Sequence, residues 1–335
     1  MPLRLPAETE PQRAVWLTWP GNPATWPDTR ARAEAAHARF AAAISHHQPV
    51  ELICAARHQT RALQALRAQS ADLDRVTLHD WPSDDTWCRD HGPLFVHNTD
   101  TGGLELVDFT YNAWGGKFSP WNADDDIPRR VSELRNLPRH RLPNIGEGGA
   151  LEINTRGVLL TTESVWLNTN RNPGWTRADA EDVFHRFLGV TETLWLPEGL
   201  VGDDTDGHID TLTRFTDDDT VVTVTAGPDD PNHAVLQHNA DLLADRFNVV
   251  PLPLPEPIRP DNWREAVLPA TYANFLVLNH AVLVPTYAQP RNDDRALGIL
   301  TDLFPRRHVL GIPCEDLILE GGALHCLSMQ EPKVP

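Results

Sequence analysis

The chain has almost no lysine. Of its 29 Lys and Arg residues only Lys117 and Lys333 are lysines, and 47 Asp and Glu leave a formal net charge of −18 over 335 residues. Such a field repels phosphate backbones and anionic lipid, so nucleic-acid and membrane partners are not expected. A small cationic partner is favoured, with solubility alone as the other reading. Long apolar runs are also missing: none approaches the roughly eighteen residues of a membrane span, and the opening Met-Pro-Leu-Arg-Leu-Pro-Ala-Glu has no apolar export core. The four cysteines, Cys54, Cys88, Cys314 and Cys326, show no CxxC spacing, which argues against a zinc site and against a disulfide framework. A reducing, cytoplasmic setting is expected. No GxGxxG follows any apolar run, so a dinucleotide cofactor has no support. Oligomeric state has no signature, and a homo-oligomer is left open.

What is present is a core and a repeat. With 41% apolar residues the chain can bury a large interior, as two domains or one. The pentapeptide Glu-Gly-Gly-Ala-Leu occurs at 147–151 and again at 320–324, where His325 and Cys326 follow it. This suggests a duplicated unit in which one copy carries a thiol. Apolar patterning supports duplication, because two strands, a helix and a further strand recur in order. The clearest unit runs through Ala150 to Ile153, Val158 to Thr162, helix Arg177 to Leu188 and Thr193 to Leu196. Two more follow: His208 to Thr213, Thr220 to Thr225, helix Asn232 to Phe247 and Val249 to Leu252; then Tyr272 to Leu278, Val282 to Thr286, helix Asp293 to Phe304 and His308 to Ile312. A fourth, weaker unit lies between Leu94 and His140. The fifth needs both chain ends, pairing Ala323 to Ser328 with Ala14 to Thr18, followed by helix Thr29 to Ser45 and strand Val50 to Ala55. The pattern predicts one α/β domain over residues 1–335, with five ββαβ units around an axis and the ring closed by terminal strands, which hides sheet edges. A doubly wound sheet is the competing architecture.

Three clusters could carry chemistry. In Gly202-Asp-Asp-Thr-Asp-Gly-His-Ile-Asp210, His208 and Asp210 alternate on an expected strand and so share a face, pairing an acid/base with a cation holder. Asp203, Asp204 and Asp206 read as an acidic turn or as part of a cation site, without the spacing of a calcium loop. In Asp84-Asp-Thr-Trp-Cys-Arg-Asp-His-Gly-Pro93, Trp87 offers a face for a planar cation and Asp90 a carboxylate that matches a guanidinium fork. Cys88 between them reads as a buried filler and Arg89 as a structural partner. Trp114, in Tyr111-Asn-Ala-Trp-Gly-Gly-Lys117, is a second pocket wall or a core residue. Gly322, before Cys326, would let backbone approach a substrate closely.

Taken in order, WCRDHGP, NAWGGK, EGGALE with LLTTE and LNTNRNP, GDDTDGHID and the terminal EGGALHC resemble the motif series of the agmatine deiminase and peptidyl-arginine deiminase family. Pro6-Ala-Glu8 and Trp16-Leu-Thr-Trp-Pro20 resemble its opening, so the likeness spans the chain. It implies a five-bladed, pseudo-symmetric α/β propeller of the pentein type. Cys326 then matches the nucleophile, His208 the general acid/base, Asp90 and Asp210 the guanidinium-holding carboxylates, Glu147 a further acidic site residue and Trp87 a pocket wall. No metal and no cofactor is implied.

The resemblance implies hydrolytic deimination of a small cationic guanidine, agmatine first, through a thiouronium formed on Cys326. Protonated His208 and the incoming cation are expected to favour the thiolate. His325 reads as structural, on the opposite strand face. The chain departs from the family pattern at Ala323 and Ser328, which flank the thiol and bear on substrate choice. Free arginine or peptidyl-arginine, transfer of the amidino group, and a binding propeller without chemistry are the competing functions.

Overall fold

The computed structural model describes residues 2–260 and 267–334. Its described strands form five separate sheets, and four repeat one plan: a short antiparallel pair, then a helix, then a strand parallel to the second of the pair. A parallel neighbour cannot be reached by a tight turn, so each such pair needs its crossover helix. Thr213–Phe215 pairs antiparallel with Thr220–Thr225, helix His233–Ala244 crosses, and Asn248–Pro253 lies parallel. Leu276–Val277, Ala281–Thr286, helix Pro290–Leu303 and His308–Pro313 do the same. In the central strands even the non-alternating run Val282, Leu283, Val284 is fully buried. This is expected of a strand covered on both faces.

The remaining sheets vary the plan. Leu94–Asn98 and Gly103–Thr110 pair antiparallel, helix Ile127–Arg135 crosses to Arg139–Ile145, and Leu3–Arg4 adds an edge. Glu152–Ile153 and Val158–Thr162 lead to a helix that starts at a Thr176–Asp179 capping box and ends in a π-turn at Leu188. The capping box satisfies first-turn N–H groups that would otherwise lack partners. Both chain ends meet in the last sheet, where Ser328–Pro332 runs antiparallel to Gln12–Thr18 and Val50–Ile53 and Val76–His79 follow in parallel. Helix Arg30–Ser45 buries Ala33, Ala36, Phe40, Ala41 and Ile44, a stripe at helical spacing. No helix among the described residues is long and apolar enough to cross a membrane.

Four expected strands are shorter than the apolar pattern implies, or absent. Of Ala150–Ile153 only Glu152–Ile153 is strand, after the 3-10 turn Gly148–Ala150; Ile209–Thr211 is a 3-10 turn, Tyr272–Phe275 precedes a two-residue strand, and 323–327 is a turn before Ser328. One cause recurs: side chains capture the backbone N–H groups that a ladder would use. Asp90 takes that of Gly149, Thr205 that of His208, Thr271 that of Ala273, and Asn274 those of His325 and Cys326. The two Glu-Gly-Gly-Ala-Leu copies are therefore not equivalent strands. The first turns at Gly148–Ala150, after Glu147, whereas the second turns at Ile318–Glu320, before Gly321.

Candidate active site

The irregular segments just described converge on a cavity of about 410 Å³. Its wall includes Trp87, Asp90, Trp114, Asp204, Gly322 and Cys326, so six of the residues singled out in the sequence line one space. Cys326 is the one cysteine of four on that wall. His208, Asp210 and Glu147 are buried behind it, at 0 to 1% exposure. His208 Nδ1 lies 3.6 Å from Asp90 Oδ1, and its Nε2 lies 3.6 Å from Glu147 Oε2. Cys326 Sγ lies 3.8 Å from Asp210 Oδ2.

Each group is held by its neighbours. Asp90 sits on the one-turn helix Cys88–His91, accepts the Trp114 indole N–H at 3.0 Å on Oδ2 and takes the Gly149 N–H at 3.0 Å on Oδ1. A Cβ on Gly149 would fall 2.5 Å from His208 Nδ1 and 2.7 Å from Asp90 Oδ1, so only glycine leaves the acid and the imidazole room to meet. Gly322 is similar, because its Cβ would lie 2.3 Å from the Trp87 ring. Trp114 itself has φ +56, a left-handed conformation rare for a bulky residue and tolerated where the surroundings fix it. His208 and Asp210 do not alternate on a strand. A 3-10 turn, closed by the Thr211 hydroxyl donating to the His208 carbonyl at 2.8 Å, brings them to the same buried region.

Charges set the protonation states. Burial disfavours the His208 imidazolium, but Asp90, Glu147 and Asp210 outweigh it and push the ring up to about 9. At neutral pH the ring therefore carries both protons. Asp90 is pushed up to about 6 by burial, a rise that the His208 charge limits. Glu147, though buried, is held below the usual carboxylate range by Arg171 and His208, and Asp210 likewise by His325. Burial, then Asp210 and Asp90, push Cys326 well up, so without a bound cation it keeps its proton. Cys88 is buried and pushed up to about 12, in keeping with a filler.

Several supporting residues were given no role in the site by the sequence, although most lie in or beside its motifs. Arg171, in the Asn-Arg-Asn segment, donates to Glu147 Oε1 at 2.6 Å and to Asp206 Oδ2 at 2.7 Å. Asp206, at φ +70, also binds Lys117 Nζ at 2.7 Å and Asn170 at 3.0 Å, joining three loops. Lys117 reaches the Asp204 carbonyl as well, at 2.6 Å. His325 is not on an opposite strand face: it bridges Asp210 Oδ2 at 2.7 Å and Glu8 Oε2 at 2.6 Å, so it anchors a site carboxylate. Glu8 continues to Arg214, at 2.9 Å, which is itself buried against Glu152 at 2.8 Å. A buried carboxylate chain of this kind is sustainable because every charge has an opposite neighbour. Neither Ala323 nor Ser328 lines the cavity, and the Ser328 hydroxyl turns inward to the Leu324 carbonyl at 2.8 Å. Neither departure therefore places a side chain on the wall. Among the described residues no group of three or more His, Cys, Asp or Glu side chains could hold a metal ion.

Comparison with known proteins agrees with this geometry. The profile of the Porphyromonas-type peptidyl-arginine deiminase family matches residues 4–332. An agmatine deiminase from Stutzerimonas stutzeri is 35% identical over 356 aligned positions, covering 98% of this chain and 95% of that protein. The structure of an agmatine deiminase from Enterococcus faecalis superposes with a TM-score of 0.93 at 28% identity, over 100% of this chain and 97% of that one. A C. jejuni agmatine deiminase carrying a cysteine-to-serine change, with substrate bound, superposes with a TM-score of 0.89 at 28% identity, over 99% and 97%. The α/β fold is therefore that of the agmatine deiminases, and the chain belongs to the Porphyromonas-type peptidyl-arginine deiminase family.

Proposed function

We propose that this protein hydrolyses agmatine to N-carbamoylputrescine and ammonia, with Cys326 as nucleophile. The observation that carries the reading is one cavity whose wall holds the Cys326 thiol and Asp90 with the Trp87 and Trp114 indoles, while His208 and Asp210 stand directly behind it, 3.6 Å from Asp90 and 3.8 Å from the sulfur respectively. Asp90 and Asp210 suit the guanidinium N–H groups, because carboxylate and guanidinium forks match in spacing. Asp210 Oδ1 has no hydrogen-bond partner in the protein. Trp87 and Trp114 supply flat faces for the planar cation. Asp204 and Glu320, with Asp203 and Asp85 whose carboxyls burial pushes up, outnumber Lys117 on the same wall, a balance that favours a substrate whose far end is an ammonium over one ending in a carboxylate. Relatives named agmatine deiminase support the same choice.

The chemistry follows from these positions. The bound cation lowers the cost of the thiolate, the Cys326 proton passes to solvent, and the sulfur attacks the guanidinium carbon from a fixed geometry. His208 gives a proton to the departing amine, the C–N bond breaks, and a cationic thiouronium remains on Cys326. Water adds to the thiouronium carbon as His208 takes one of its protons, the C–S bond breaks with return of the thiolate, and the remaining hydroxyl proton passes to solvent as the neutral ureido product leaves. We also infer that the five sheets form a single five-bladed propeller around this cavity, a reading supported by their shared strand order and by the pairing of terminal strands.

Ammonia release should be measured with agmatine, free arginine and arginine peptides, using Cys326→Ala as control. Agmatine turnover that disappears in Cys326→Ala and after thiol alkylation, and persists in a chelator, is the expected result. Turnover that survives alkylation and vanishes with a chelator would overturn the thiol mechanism.

A further inference from the structure

Asn274 appears in none of the motifs and is not on the cavity wall, yet it touches the reacting sulfur. It is 1% exposed, and its Nδ2 lies 3.1 Å from Cys326 Sγ. The orientation of the amide follows from its other end. Oδ1 accepts the backbone N–H of His325 at 3.0 Å and of Cys326 at 3.2 Å, so a reversed amide would set donors against donors. An N–H must therefore face the sulfur. The sulfur's carboxylate neighbour, Asp210 at 3.8 Å, repels a thiolate, so the Asn274 donor acts against the prevailing field.

We propose that Asn274 is a further catalytic residue, whose side-chain N–H holds the Cys326 sulfur in its attacking position and bears part of the thiolate charge. The proposal rests on Cys326 being the nucleophile. When the thiol loses its proton to solvent, the N–H···S contact becomes a hydrogen bond to a charged acceptor, which is markedly stronger than one to a neutral acceptor. The same amide also fixes the turn that presents the sulfur, so positioning and charge stabilisation depend on one residue.

Asn274→Asp separates these roles, because it keeps an oxygen for both backbone N–H groups and removes the donor to sulfur. The assay is the pH dependence of Cys326 alkylation by iodoacetamide, in which an S–C bond forms and iodide leaves, with Cys326→Ala as background. Asn274→Asp should unfold near the wild-type urea midpoint and alkylate at least tenfold more slowly at pH 8, about one unit of thiol pKa. Its kcat on agmatine should fall tenfold or more, with KM changed less than threefold. Asn274→Ala should show a smaller fall in alkylation, since it adds no negative charge, and it decides the question alone if the Asp variant does not fold. Wild-type alkylation by either folded variant, or a loss confined to KM, would overturn the proposal. If Cys326→Ala still turns over agmatine, the nucleophile reading has failed instead; if it is inactive while Asn274→Asp behaves as wild type, only the role of Asn274 has failed.

Discussion

Replacing Glu147 by Gln should move the titration of His208, and the size of the move can be worked from the structure. Glu147 Oε2 stands 3.6 Å from His208 Nε2 and is buried. Two unit charges at that separation, in an effective dielectric constant of about 20, attract by about 4–5 kcal/mol, and roughly 1.4 kcal/mol corresponds to one pKa unit. Asp90 remains at 3.6 Å from the other ring nitrogen, and the glutamine dipole restores part of the loss. Arg171, deprived of its bond to Glu147, pushes the other way. A net fall of about two units follows, taking His208 from about 9 towards 7. His208 serves as acid only in its imidazolium form, so activity is lost as pH rises through its pKa, and a lower pKa draws the alkaline limb down. The kcat/KM profile reports the free enzyme. Ammonia release from pH 5 to 10, beside an NMR titration of the His208 ring assigned with His208→Gln, tests both sides. If the ring titration and the alkaline limb stay where they are in the wild type, the electrostatic account of His208 is wrong.

Other perturbations probe the wall. Gly322→Ala forces a Cβ to 2.3 Å from the Trp87 ring, so the indole must move. Overpacking costs about 1–3 kcal/mol, and KM for agmatine should rise by about tenfold with kcat less affected; steady-state kinetics with an unchanged KM would show that Trp87 is not a substrate wall. Asp206→Asn keeps the left-handed preference at that turn but removes the charge shared by Lys117 and Arg171. A loss of about 1–3 kcal/mol in urea unfolding is expected, together with a lower kcat/KM; an unchanged midpoint would mean that the clasp between the loops is not needed.

The sequence already contained the repeat. Central strands such as Thr220–Thr225 and crossover helices such as Pro290–Leu303 follow from apolar periodicity, which acts locally and survives in the fold. Pairing of the last strand with Gln12–Thr18 was also foreseeable, because an unpartnered apolar strand at each end of a repeat array leaves two edges to bury. Period-two reasoning failed at 150–151, 208–211 and 323–327, where side chains in or beside the site take N–H groups of these segments or of the residue just before them. Two of those captures cross 59 residues from Asp90 to Gly149 and 52 from Asn274 to Cys326, distances at which no local pattern is informative, whereas Thr205 reaches His208 within its own loop.

Residue identity by itself determined which groups could do chemistry: a thiol, an imidazole, carboxylates able to hold a cation, and an acidic chain with hardly any lysine. Tertiary structure decided their states. The thiol keeps its proton because burial, then Asp210 and Asp90, disfavour the thiolate, the imidazole is charged because Asp90, Glu147 and Asp210 outweigh its burial, and His325, Arg171 and Asn274 became part of the site only through contacts with distant segments. A pKa depends on what lies within a few ångströms in three dimensions, and that distance is set by the fold.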